Sequence, residues 1–86
     1  MVIRDILPKA PVHLLIVPKD HISSVHHLPD GYQNLVGNMV YTAKAMAEKF
    51  GIGESGYKLI FNVGRDGGQV IPHLHMHLLG GKFLGE

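Results

Sequence analysis

The apolar positions along this chain switch from an extended to a helical repeat and back, and the switches mark its elements. Val2 to Ile6 is read as a short strand, and Leu7-Pro8-Lys9-Ala10-Pro11 is punctuated by prolines as a turn. Val12 to Val17 is a β-branched-rich run closed by Pro18, the pattern of a buried strand, interrupted only by His13. Lys19 to Pro29 is polar and reads as a connection. Apolar residues at 32, 35, 36, 39, 43, 46, 47 and 50 then follow the helical repeat. Asp30 with Gln33 three residues on has the form of a capping box, and Gly51 suits the C-terminal stop, so the spacing predicts one amphipathic helix over Asp30 to Phe50. Gly37 inside it costs about 1 kcal/mol against alanine where exposed. Tyr57 to Val63 and Val70 to Leu79 return to the extended pattern, separated by Gly64-Arg65-Asp66-Gly67-Gly68. The short glycine-rich connection predicts an antiparallel hairpin. The whole is α+β: an antiparallel meander sheet of about four strands with one long helix packed on it.

Composition narrows the class without naming a function. The 86 residues make one domain, and 45% apolar content is enough to fold. With no cysteine, a disulfide or thiolate metal site is excluded, which leaves histidine ligation or self-association as the props available to a small core. A net charge of +1 without a lysine/arginine cluster predicts no nucleic-acid partner. No apolar run approaches a membrane span, so no membrane association is expected and the cytoplasm is the default location.

The chemistry concentrates in Ile71-Pro72-His73-Leu74-His75-Met76-His77-Leu78-Leu79. On a strand, His73, His75 and His77 share one face, their rings spaced roughly 6.5 Å along the chain, while Leu74, Met76 and Leu78 take the other. A neutral imidazole is a competent nucleophile near neutrality, and neighbouring rings disfavour one another's protonation. Flanking rings can donate hydrogen bonds to a phosphate or protonate a leaving group. Two other readings stay open on the residues alone. One is a half-buried strand with exposed histidines; the other is a metal site, since imidazole suits zinc, copper or nickel. Gly64 to Gly68 suits a tight turn better than a phosphate nest, and His21, His26 and His27 fall in the polar connection.

The segment His73-Leu74-His75-Met76-His77-Leu78-Leu79 resembles the signature of the histidine triad (HIT) superfamily of nucleotide hydrolases and transferases. Gly67-Gly68-Gln69 before it and Gly80-Gly81 after it resemble the Hint branch. Asp5-Ile6, the run from Ala10 to Ile22, and Asn62 ahead of Asp66-Gly67-Gly68-Gln69 agree in order, so the likeness covers essentially the whole chain.

The resemblance implies that His75 is the nucleophile, supported by His73 and His77, with His13 as a fourth histidine buttressing the triad. It implies that Asp5 accepts from ribose hydroxyls beside an apolar contact from Ile6, and that Asn62, Gly68 and Gln69 lie around the phosphate. The implied substrates are purine nucleoside phosphoramidates and related AMP conjugates, turned over without a cofactor or metal. The implied assembly is a homodimer through the long helix and one strand.

Two departures accompany the likeness. The family domain ordinarily carries a helix and a β-hairpin ahead of the segment matching Val2 to Ile6, so residues 1–86 are expected to form a single HIT-like domain lacking those elements. Val70 stands where some Hint proteins place a serine, and valine has no hydroxyl proton to give. A catalytically weak or inactive module that binds a nucleotide or protein partner, and a histidine metal-binding protein, are the alternative readings.

Overall fold

The computed structural model describes residues 1–85. Four strands and one helix follow in the order β1 (Val2–Arg4), β2 (Val12–Ile16), α1 (Gln33–Lys49), β3 (Tyr57–Ile60) and β4 (Met76–Gly80), with a single 3₁₀ turn at Val25–His27 before the helix. The strands form one antiparallel sheet in the order β1-β2-β4-β3. The expected architecture is therefore what forms, with a refinement of the order. The helix carries the chain across the sheet, so β3 lands on the far edge and β4 returns between β3 and β2.

That central place suits the composition of β4. It is paired on both sides, Leu14 and Leu59 both standing opposite Leu78. Leu14, Leu74, Met76 and Leu78 are the largest fully enclosed side chains. They pack with Ile16, Ile22 and Ile52 against Met39, Ala43 and Ala47 of the helix. Ala43 and Ala47 stand four residues apart and have no exposure, so their small side chains let α1 lie close over the middle strands. Arg4 at the end of β1 lays its guanidinium over the ring of Phe50, 5.1 Å from its centre, and closes the rim of that core.

The element boundaries differ from expectation at identifiable points. The helix begins at Gln33 with Tyr32 as its cap residue and no side-chain cap. Asp30 does not cap it, because Gly31 takes φ +88° and breaks the path between them. The expected strand Val70 to Leu79 shortens to Met76–Gly80, and Tyr57 to Val63 shortens to Tyr57–Ile60. The two pair antiparallel as expected, but Ile60 faces His77, so residues 61–75 form a long loop instead of a tight hairpin.

Candidate active site

Alternation survives where strand pairing does not. Leu74, Met76 and Leu78 are buried in the core, while His75 and His77 bring their rings together, although only His77 belongs to β4. The rings of His75 and His77 meet edge to face at 5.1 Å between centres. His13 joins them through sheet register. Leu15 pairs with His77 and His13 with Leu79, so His13 and His77 are diagonal neighbours on one face. Their rings lie 5.1 Å apart and their nitrogens, His13 Nε2 and His77 Nδ1, 2.9 Å apart. Asp5 joins by the same logic from the other edge. Its amide donates to the His13 carbonyl at 3.0 Å, extending the β1–β2 ladder by one residue, and its Oδ2 comes 3.4 Å from His13 Nε2.

Hydrogen-bond partners fix the neutral forms of these rings, because a backbone amide can only donate and a carbonyl can only accept. The His73 carbonyl lies 2.8 Å from His75 Nδ1, which must carry the proton, leaving a bare lone pair on Nε2. The Lys9 amide donates to His13 Nδ1 at 3.1 Å, so the proton of His13 sits on Nε2 and is directed at His77 Nδ1. His77 then accepts on Nδ1 and holds its own proton on Nε2. His73 is held by Nδ1 donating to the Leu74 carbonyl at 3.0 Å. The site thus offers one nucleophilic nitrogen at His75 and one N–H donor at His77, side by side.

These rings are shielded from solvent to different degrees. His75 is 8% exposed and His13 6%. The pKa of His77 lies below the ordinary imidazole value, chiefly through burial, then through the neighbouring His75 and His13; the Asp5 carboxylate works the other way and raises it, and Lys9 lowers it slightly.

The other expected site residues fall into two groups. Ile6 lies beside Asp5 and is almost fully exposed, as is Val70. Asn62, Gly68 and Gln69 belong to the long loop, and their polar groups serve its backbone. Asn62 donates to the Gly67 carbonyl at 2.9 Å. Gln69 accepts from the Gly64 amide at 2.9 Å and donates to the carbonyls of Ser23 at 2.6 Å and Ile71 at 3.0 Å. Gly68 takes φ +77°, where a side chain is strained.

Two contacts were not foreseen from the residues. One is the Lys9 main chain, an amide that carries no sequence signal of its own. The other is His21, whose ring meets that of His73 at 5.9 Å because the Leu74 amide donates to the Ile22 carbonyl at 2.7 Å and clips the two segments together. Its place just after Pro18-Lys19-Asp20 was the available signal.

Among the described residues, donor atoms within 4.8 Å of one another suited to a metal come from Asp5, His13 and His77, not from His73, His75 and His77 together. The geometry favours a shared proton there. Two nitrogens on one tetrahedral zinc stand about 3.3 Å apart from bond lengths near 2.0–2.1 Å, and the 2.9 Å between His13 and His77 is hydrogen-bond spacing. Two surface grooves, one lined by Ser55, Tyr57, Lys58 and Phe83, the other by Ser24, His26, His27 and Arg65, contain no triad histidine. In the second, His27 Nδ1 lies 2.7 Å from Ser24 Oγ, so that ring is tied to the connection.

Comparison with known proteins gives this geometry a context. The family model described as the HIT domain matches residues 1–84. The purine nucleoside phosphoramidase of Escherichia coli K12 is 48% identical over 82 residues, covering 95% of this chain and 69% of that protein. A HIT family hydrolase from Legionella pneumophila superposes with a TM-score of 0.95 at 45% identity, covering 98% of this chain and 75% of the other. A histidine triad nucleotide-binding protein from Candida albicans matches with a TM-score of 0.77 at 30% identity, covering 99% and 68%.

Proposed function

This chain belongs to the HIT family, and from that membership we propose that it is a nucleotidyl hydrolase or transferase acting on purine nucleoside phosphoramidates or related AMP conjugates. The observation that carries the reading is the pairing of opposite tautomers: His75 with its proton held on Nδ1 by the His73 carbonyl, and His77 accepting on Nδ1 from His13. A nucleophile and a hydrogen-bond donor stand ready on adjacent rings, and neither needs a separate base.

The chemistry proceeds in two displacements. His75 Nε2 attacks phosphorus, forming a P–N bond while the bond from phosphorus to the leaving amine or oxygen breaks. His77 Nε2–H hydrogen-bonds that leaving atom, which departs with a proton taken from solvent. Water then attacks the phospho-imidazole, hydroxyl going to phosphorus and its proton to solvent, which releases the nucleoside monophosphate and restores His75. Holding His77 neutral at pH 7 serves the rate, because a second cation beside His75 would compete with the charge developing on that ring.

In this reading Asp5 accepts hydroxyls of the sugar, and Ile6, exposed next to it, meets the apolar side of the nucleoside. In the same reading the loop of Asn62, Gly68 and Gln69 faces the phosphate, and the side chains of Asn62 and Gln69 fix its backbone. Val70, exposed and without a hydroxyl, leaves the hydrogen bond to the leaving group to His77 alone, which favours leaving groups that need less assistance. A homodimer through α1 and one strand, working in the cytoplasm, completes the reading.

The test is hydrolysis of an adenosine phosphoramidate by the parent protein and by His75→Ala, with AMP binding followed by calorimetry. The variant is expected to lose turnover while keeping its fold and its affinity for AMP. Turnover at the parent rate would remove His75 from the mechanism. AMP binding by the parent without product would make the protein a nucleotide-binding module instead.

A further inference from the structure

The Asp5 carboxylate has a neighbour that sugar recognition does not require. Its Oδ1 is taken by the Leu7 amide at 2.8 Å, which holds the turn after β1. Its Oδ2 stands 3.4 Å from His13 Nε2, on a side chain 20% exposed and therefore open to a ligand. Because the Lys9 amide occupies His13 Nδ1, neutral His13 has one N–H to give: His77 Nδ1 takes it at 2.9 Å, and Asp5 Oδ2 stands 3.4 Å from the same nitrogen.

We propose that Asp5 is a positioning residue that couples sugar binding to the proton on His77, by drawing on the single N–H of His13 when its site is empty and releasing it when hydroxyls of a bound sugar occupy the carboxylate. With the carboxylate free, the His13 proton is divided and His77 Nδ1 is incompletely satisfied, so the tautomer of His77 is loosely held. With a vicinal diol donating to Oδ2, the pull on His13 weakens and its N–H goes wholly to His77 Nδ1. His77 is then fixed as the Nε2–H donor that a leaving group needs. The ligand class is a nucleoside with both ribose hydroxyls, and the inference rests on the phosphoryl-transfer reading only for its consequence to turnover.

The charged and titratable groups facing His77 are His75 just before β4, His13 on β2, Asp5 after β1 and Lys9 in the turn, and of these only Asp5 favours its protonation. Removing the Asp5 charge therefore moves the titration of His77 to lower pH, and covering it with hydroxyl donors moves it the same way by less.

Two arms test this on the full chain. In the first, imidazole ¹⁵N NMR follows His13 and His77 through a pH titration, in the parent and in Asp5→Asn, with and without adenosine. Asparagine keeps an oxygen for the Leu7 amide, and thermal melting checks the fold. Asp5→Asn is expected to titrate His77 at lower pH. Adenosine is expected to move the parent in the same direction and to leave the variant unmoved. Identical midpoints in all conditions overturn the proposal, and the adenosine arm on the parent alone decides it should the variant not fold.

In the second arm, kcat and KM are measured for an adenosine 5′-phosphoramidate and its 2′,3′-dideoxy analogue. Coupling lowers the parent's kcat on the dideoxy substrate by about tenfold, as a weakened hydrogen bond to the leaving group would, and Asp5→Asn erases that kcat difference. A penalty confined to KM, or a kcat difference that persists in the variant, overturns it. A parent that turns over neither substrate defeats the hydrolase reading, while the NMR arm still decides the coupling.

Discussion

The histidines of this chain owe their roles to main-chain partners more than to one another. Two amide-plane groups, the His73 carbonyl and the Lys9 N–H, decide which nitrogen of His75 and His13 carries a proton, and the state of His77 follows. The depressed pKa of His77 has a consequence for stability with a definite sign. An unfolded chain takes up a proton on imidazole near pH 6.5, whereas folded His77 resists until lower pH. The unfolded state therefore binds more protons across that interval, and stability falls as pH drops through about 6.5 down to the lowered value of the folded ring, below which both states carry the proton. Denaturant midpoints measured from pH 8 to pH 5 should show that decline, and His77→Asn should flatten part of it. At this scale the sequence was informative about identity and poor about partners. Alternation alone put His73, His75 and His77 on one side, and the family likeness brought in His13 and Asp5. The 3.4 Å approach of Asp5 to His13 depends on β1–β2 register, which no local pattern encodes.

Elements were legible in type and less so in extent. The helical repeat located α1, and its stripe of Met39, Ala43 and Ala47 is the face that packs, but the capping box was a false start signal because Gly31 with its positive φ separates Asp30 from the helix. The glycine-rich run before the triad suggested a tight hairpin. In the structure the turn is only one part of a loop from 61 to 75, since Gln69 can satisfy the backbone of that loop without strand pairing. Gly67 shows how tight the turn is: a Cβ there would collide with the carbonyl oxygen of Val63, a backbone atom that cannot swing away. The element that matters most for the fold is β4, with Leu78 unexposed at its centre and bonded neighbours on both sides. Leu78→Ala is expected to cost about 2–5 kcal/mol in denaturant unfolding, the range for a buried leucine whose surroundings cannot collapse. A loss below about 1 kcal/mol would mean that the helix settles into the gap.

At the scale of the molecule, a 9.4 kDa chain keeps a modest core and leaves large apolar side chains outside it. Val40 and Tyr41 on α1 and Leu59 on β3 are exposed, on the helix and on a strand at the sheet edge. Pairing of two copies through such surfaces would extend the buried area that small domains lack. Sedimentation equilibrium at micromolar concentration should then report twice the 9.4 kDa of one chain. Val40→Glu together with Tyr41→Glu should return it to a single copy, and a parent sedimenting as one chain would refute the dimer. None of this was visible from periodicity, which marks a residue as apolar without saying whether its own chain or another covers it.

Gln69 bridges the loop from within: Gly64 on one side, Ile71 on the other, and Ser23 across the gap. Such a rivet makes motion collective. The amides of Gly64, Gly68, Gln69 and His73, each bonded within this loop, should exchange with deuterium at one common rate, because no stretch of it can lift while the amide group stays seated. Gln69→Ala should scatter those rates, letting each site breathe by itself.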